Sequence, residues 1–412
     1  MKYLYTLIAI AIFSLTSEAQ RINDSAVYGM AYANQVHYQL DDGSRTTSSQ
    51  TNWDFQIYTD LFEESIIING GNGAQLYSPA NDDTTDWATL DTTGMSPLYN
   101  SDTSWTEGAF ESEATGHPDY GWGDYSSMGN LTGKRIFVLK TVSGTWKKVW
   151  IKELRGFGTV YDIRIADLNG SNDTTVSIDK SAYPTKQFFY YEVESNTVRD
   201  MEPAKGDWDL IFRRFQTTVA PGQTYPVTGV LHNIGVSVAE AQGVDPETVT
   251  DQGLTYTTAI NEIGYDWKSS MLVIDTARAY FVRDLDGDIW KLVFTGFASG
   301  FSPPMTGTAF FWKELVTPAT GIQSVNGVTS EFTLYPNPAV NSSNILFNSD
   351  ESIAGTIEVF DLSGRAVMTY EVEIQEGLNN FRISTESLSS GNYIVRLSNG
   401  LESIQEQLFV AQ

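Results

Sequence analysis

KGDWDLIFRRF, residues 205–215, has a near-copy in the same chain at TNWDFQIYTDLF, residues 51–62. In both, a Trp-Asp pair opens an alternation of bulky residues with period two, the spacing of a β-strand. In the later copy Trp208, Leu210 and Phe212 fall on one face, and Asp209, Ile211 and Arg213 on the other. Trp53 and Trp208 read as core anchors. Asp54 and Asp209 read as carboxylates that satisfy nearby backbone or an arginine, since buried polar groups need partners.

Outward from these phrases, other features recur in the same order. The first half has VHYQLDDG (36–43), IIINGGNGAQLY (66–77), GDYSSM (123–128) and RIFVLKTVSGTWKKVWI (135–151). The second has FFYYEVES (188–195), YPVTGVLHNIGVSVAEA (225–241), YDWKSSM (265–271) and AYFVRDLDGDIWKLVFTGF (279–297). Trp53 matches Trp208, Met128 matches Met271, and Trp146 matches Trp290. This is a tandem duplication, and it predicts two β domains at residues 20–180 and 181–316. Asp286-Gly287 and Ser143-Gly144 supply the positive-φ positions of tight hairpin turns. Helical periodicity is scarce; Val238–Val244 is the one stretch expected to form a short helical turn. His37 is expected on a strand surface. The class is all-β.

Composition narrows the function. The 412 residues carry 51 acidic against 25 basic side chains, a formal charge of −26. Such a chain repels nucleic acid and anionic membrane surfaces. There is no cysteine, so thiol nucleophiles, disulfides and Cys-bound metals are excluded. Residues 1–19 read as a secretory signal: Lys2, an apolar run from Leu4 to Leu15, and a small-x-small site ending at Ala19. No later segment is apolar enough to span a bilayer. The Asp-rich turns at Asp167–Asp173 and Asp284–Asp288 lack the terminal Glu of a calcium loop and read as hairpin turns. No catalytic motif stands out, so the expectation is a binding protein and not an enzyme, with no metal site assigned.

Near Thr317 the chain changes character. TPATGIQSVNGVTS, rich in Thr, Ser and Gly, reads as a linker over 317–330. Residues 331–412 then form a separate small unit. Its motifs YPNPAVN (335–341), VFDLSGR (359–365), LSSGNYIVRL (388–397) and EQLFV (406–410) resemble the type A sorting domain of the type IX secretion system of Bacteroidetes. That resemblance implies an Ig-like β-sandwich that engages the type IX machinery and directs the protein to the cell surface or the medium. Family members often carry a Lys in the last strand, where this chain has Glu406 and Gln407.

The duplicated region, through NWDFQI with NGGNGAQLY and DWDLIF with FVRDLDGDIWKLVFTGF, resembles the HmuY-like haem-binding proteins. Taken as two tandem copies followed by the Ig-like unit, the resemblance implies capture of haem or a related porphyrin by axial His or Met ligands. Such ligands suit haem iron. The chain has three histidines, His37, His117 and His232. Met128 and Met271 follow Ser-Ser in equivalent places. The haem-ligand candidates are therefore Met128 with His117, and Met271 with His232. The rival expectation is a metal-free module whose aromatics contact a surface glycan or another protein.

Overall fold

The computed structural model describes residues 21–60, 63–127, 129–220, 223–317, 332–349, 352–361, 365–398 and 403–411. The signal segment and the linker beyond Thr317 lie outside them. The chain divides into two compact units, Met1–Thr317 and Pro318–Gln412. Both are all-β, and none of the described helices is long and apolar enough to cross a membrane.

The first unit holds two sandwiches, each an outer sheet on a four-stranded inner sheet. The first inner sheet runs Thr197–Arg199, Phe188–Glu192, Phe55–Tyr58, Ile66–Ile68. The second runs Arg45–Ser49, Asn34–Tyr38, Leu210–Ala220, Gln223–His232. The two orders are equivalent position by position, as the duplication demands. The outer sheets correspond as well. Thr174–Asp179, Val160–Asp167, Trp146–Arg155, Phe137–Lys140 and Gln75–Ser78 match Ile22–Val27, Thr308–Thr317, Ile289–Ala298, Arg278–Arg283 and Ser237–Gln242.

The partners, however, cross the boundary expected near residue 180. Phe188–Glu192 pairs with Phe55–Tyr58 (Tyr191↔Phe55), and Asn34–Tyr38 pairs with Leu210–Ala220 (Tyr38↔Leu210). Ile22–Val27 forms the edge beside Thr308–Thr317 (Ile22↔Lys313). The first half thus gives its first three strands to the second sandwich, and the second half gives its first two, Phe188–Glu192 and Thr197–Arg199, to the first. The division into 20–180 and 181–316 is corrected accordingly. Residues 21–50 close the second sandwich, and residues 174–199 close the first.

Inner-sheet strands are buried on both faces, which is why FFYYE and FQIY read as continuous apolar runs. Phe55, Ile57, Phe189 and Tyr191 pack toward Val149, Ile151 and Ile163 of the first outer sheet. Val36, Tyr38, Leu210 and Phe212 pack toward Val282, Leu292 and Phe311 of the second. The alternate side chains, Tyr58, Phe188, Tyr190, Ile211 and Phe215, meet in a middle layer with Trp53 and Trp208. Trp208 therefore does not share a face with Leu210 and Phe212. A bend at Asp209 breaks the period-two phase just before the strand begins. His37, expected on the surface, is 1 % exposed in this middle layer, with its ring 5.0 Å from Trp208. Trp146 and Trp290 are one residue out of register: Trp146 opens its strand opposite Lys140, Ile289 takes that place opposite Arg283, and so Trp146 is exposed where Trp290 is buried. Val238–Val244 is no helical turn, because Ser237–Gln242 is a strand paired with Arg278–Arg283.

The Asp residues of the repeated phrase do the same work in both halves. Asp54 accepts the amides of Val142 and Val193, each at 2.8 Å. Asp209 accepts those of Leu40 at 2.7 Å and Leu285 at 3.4 Å. Each carboxylate staples the turn after an inner strand to a hairpin turn of the outer sheet. Asn69 and Asn233 then fix the Trp-Asp turns by donating to the carbonyls of Trp53 and Trp208, at 2.9 and 2.8 Å. The Asp-rich turns are hairpin turns. Asp284 accepts the amides of Asp286 and Asp288, and Asp167 takes Lys147 and Ser171.

The second unit is a sandwich of three strands on four. Thr333–Tyr335, Ser342–Ser349 and Gly377–Ser384 face Ala366–Ile374, Ile353–Asp361, Gly391–Ser398 and Ser403–Val410. Ile345, Phe347, Val359, Val395, Leu397 and Leu408 fill its core. The terminal strand is an edge of the larger sheet.

Candidate functional site

Where the first Trp-Asp turn meets the second sandwich, the surface opens into a cleft of about 360 Å³. That lies in the range of small-ligand pockets. Thr51, Asn52, Trp53 and Asp54 form its floor, with Asn72 from the Gly70–Asn72 turn. Val142 and Ser143 come from a hairpin turn, Glu192 and Glu194 from the end of an inner strand, and Arg214 from the other sandwich.

Gln50 holds the cleft together. Its amide nitrogen donates to the carbonyls of Tyr32 and Asn34, at 2.6 and 2.9 Å. Its oxygen accepts the Arg214 amide at 2.9 Å and Asn72 at 3.2 Å. A single buried side chain thereby ties the closing segment, the strand of Arg214 and the Asn72 turn into one frame. Gly71 lets that turn approach closely: a Cβ there would sit 2.4 Å from the Arg214 carbonyl oxygen.

Most charges in the cleft are already answered. Glu192 accepts Arg199 and Ser195. Glu194 accepts Thr145 and lies 3.7 Å from Lys147. Burial raises the Asp54 carboxyl, and its two amide donors oppose that rise. Arg214 differs. Its half-buried guanidinium has no hydrogen bond or carboxylate partner among the described residues, and burial lowers its pKa. Arg278, by contrast, reaches Glu240, Asp266 and Asp275. Two further polar atoms of the cleft residues are enclosed without a partner, the Asn52 Oδ1 and the Trp53 indole N–H.

Beneath lies the neighbouring Arg213, 4 % exposed, donating to Gln56 at 3.1 Å and lying 5.1 Å from the Trp53 ring. It borders a void of about 30 Å³ with Trp105, Phe215 and Leu231, room for one water. The middle layer also encloses Glu202. Burial raises that carboxyl to about 8, although it accepts the amides of Gln187 and Phe188 and the Tyr190 hydroxyl. His37, 3.9 Å from Glu202, is lowered to about 3, first by burial and then by Arg213 and Lys186.

The haem-ligand candidates do not assemble at this cleft. His232 is buried, with Nδ1 3.0 Å from the Asn233 carbonyl oxygen and Nε2 2.9 Å from that of Ala259. Burial lowers its pKa, so the neutral ring donates to one of these carbonyls, and its other nitrogen is packed against the second; it does not line the cleft. Met271 is 82 % exposed. His117 lies on an exposed loop, its ring 5.0 Å from that of Tyr125. Met128 lies outside the described residues.

Reasoning from single motifs missed Arg214, Asn52, Asn72, Glu192 and Glu194. The signal that finds Arg214 is departure from the repeat. At the offset relating Trp53 to Trp208, Arg213 and Arg214 stand where the first half has Tyr58 and Thr59. Thr59 donates to the Lys186 carbonyl, so the equivalent position of the first half carries no charge.

Residues 333–411 match the family of secretion system C-terminal sorting domains. None of the curated proteins matches the chain. The last unit is thus a type IX sorting domain, and the protein is secreted or displayed at the cell surface.

Proposed function

We propose that this protein is an extracellular binding protein, not an enzyme, and that it holds a saccharide in the cleft over the Trp53–Asp54 turn. The observation that carries the reading is a concave site lined mainly by polar side chains of the kind that hydrogen-bond sugar hydroxyls. Thr51, Asn52, Asn72, Ser143, Glu192, Glu194 and Arg214 line this one site of about 360 Å³. The frame is rigid, because Gln50, Asn69 and Asp54 lock the turn to three separate elements. A preformed site loses little ordering entropy on binding. Export by the sorting domain puts the cleft where surface or environmental glycans are met.

The test is an array of oligosaccharides probed with the exported protein, residues 20–412, followed by calorimetry on the hits. Asn52→Leu should weaken each hit. A haemin titration run beside it addresses the porphyrin expectation. A Soret shift lost in His117→Ala or Met271→Ala, together with an empty array, would replace the saccharide reading with haem capture.

A further inference from the structure

We infer that the outer face of the first outer sheet is a second saccharide contact, where Trp146 and Tyr77 stack on a pyranose ring. The inference rests on the ligand being a glycan, and not on the geometry of the cleft. Trp146, 37 % exposed, is the most open of the ten tryptophans. Its ring centroid lies 5.7 Å from that of Tyr77, with the two planes tilted by 35°. Strand alternation puts both on the outer face. Trp146 stands opposite Lys140 and Tyr77 opposite Val138, while Leu76, Phe137, Leu139 and Val149 fill the core on the other side. Gln75 and Lys140 share the row of Trp146, and the Lys140 Nζ lies 5.8 Å from its ring. Trp146 also follows directly on the hairpin turn that gives Val142 and Ser143 to the cleft.

The other half of the repeat covers this face with its own chain. By ladder register Tyr77 corresponds to Ala239, Trp146 to Ile289 and Lys140 to Arg283. In the second sandwich Ala239, Phe281 and Ile289 pack against Val244, Val249, Leu254 and Tyr256 of the connection that follows Ser237–Gln242, and Arg283 lies 4.7 Å from the Tyr256 ring. In the first, the equivalent connection brings Trp87 and Leu90 to Trp150 and Ala166 instead. Two large rings therefore stand open where the covered half has an alanine and an isoleucine. Their area sets the size of the partner. A large aromatic side chain buries about 150–250 Å² in all, so one that is 37 % exposed offers less than about 100 Å². The pair falls far short of the about 800 Å² per partner of a stable protein interface. One or two sugar rings cover it. A pyranose with equatorial hydroxyls presents C–H bonds on its flat faces, which meet an aromatic ring as apolar surface, and Gln75 and Lys140 supply hydrogen-bonding groups at the rim.

The experiment titrates cellohexaose and chitohexaose, both built of pyranoses with equatorial substituents, into the exported protein, residues 20–412. Calorimetry and acrylamide quenching of tryptophan fluorescence are read together. Bound sugar should shield Trp146 and reduce quenching. Trp146→Ala or Tyr77→Ala should weaken binding about tenfold, the upper range for one aromatic contact. Trp146→Tyr, which keeps a ring, should retain part of the affinity. Trp146 lies outside the core, so a urea midpoint equal to that of the parent shows that its variants fold. Binding that is the same in the parent and in Trp146→Ala overturns the platform, and loss in Asn52→Leu alone then leaves the cleft standing. Binding lost in Trp146→Ala but unchanged in Asn52→Leu supports the platform and overturns the cleft. Binding of neither sugar overturns the platform, whatever the oligosaccharide array finds for the cleft. Self-association in sedimentation that Trp146→Ala abolishes, without sugar binding, would assign the rings to a protein contact and overturn the inference.

Discussion

Deleting residues 21–50 should unfold the second sandwich, although the deletion removes only one end of the sequence. The segment supplies Ala26, Tyr28, Val36, Tyr38 and Leu40, all 0 % exposed, and Tyr32 at 8 %. Burying a large apolar side chain contributes about 1.5–3 kcal/mol, so the five larger ones contribute about 8–15 kcal/mol as an upper bound. That equals the whole net stability of a typical domain, about 5–15 kcal/mol. The strand Thr308–Thr317 would also lose its ladder with Ile22–Val27, and Asp209 its partner at Leu40. The assay is limited proteolysis with mass mapping, beside urea unfolding followed by tryptophan fluorescence. Cleavage should spread through residues 204–317 before it enters 52–199. A circular permutant provides the control. Starting the chain at residue 204, joining 317 to 21 by a short linker and ending at 203 makes each sandwich contiguous. Ile22 already pairs with Lys313, so the linker spans little distance. The permutant should approach parental stability. If the truncated protein resists protease in 204–317, or the permutant is no more stable than the truncation, the closing role of the first three strands is wrong.

Asp54→Ala removes an acceptor from two buried amides and should cost about 2–5 kcal/mol, read as a fall in the urea midpoint. Glu202→Gln should change the pH profile of stability. Burial raises the native carboxyl to about 8, so the native state keeps a proton that the unfolded chain releases above about pH 4. That stabilisation is complete below the unfolded pKa and is lost as pH rises through about 8. The parent should therefore lose stability relative to the variant between pH 5 and pH 8; parallel profiles would refute it. Gly71→Ala should push the Gly70–Asn72 turn off the strand of Arg214, lowering the melting temperature and weakening saccharide binding together. Removing residues 332–412 should leave the protein inside the cell envelope, detected by fractionation of cells and medium.

Much of the fold is legible because strand periodicity is local. Alternation in DWDLIF, the glycine turns, and the repeated Trp-Asp phrase each depend on a few adjacent residues, and they specify an all-β chain with a duplicated core. The sorting domain is equally plain, since its motifs lie in order within about eighty residues. The cleft is less accessible to this kind of reading. Its residues come from positions 51–54, 72, 142–143, 192–194 and 214, and no short-range pattern joins them. Histidines and methionines draw attention by their chemistry. Yet the ring of His232 is buried between the carbonyl of the adjacent Asn233 and that of Ala259, 27 residues away, a setting that no local pattern reveals.

From residues alone follow the strand class, the duplication, the export unit and the backbone-holding role of Asp54 and Asp209, because each is written in neighbouring residues. Only the packed chain shows which strands close which sandwich, since equivalent segments of a repeat offer nearly the same edge and the choice between them is made by chain connectivity in space. For the same reason the unpaired state of Arg214 is a tertiary fact. A charge is free or answered according to what the fold brings within reach, and here the fold brings Glu192 and Glu194 to the cleft already engaged with Arg199, Thr145 and Lys147.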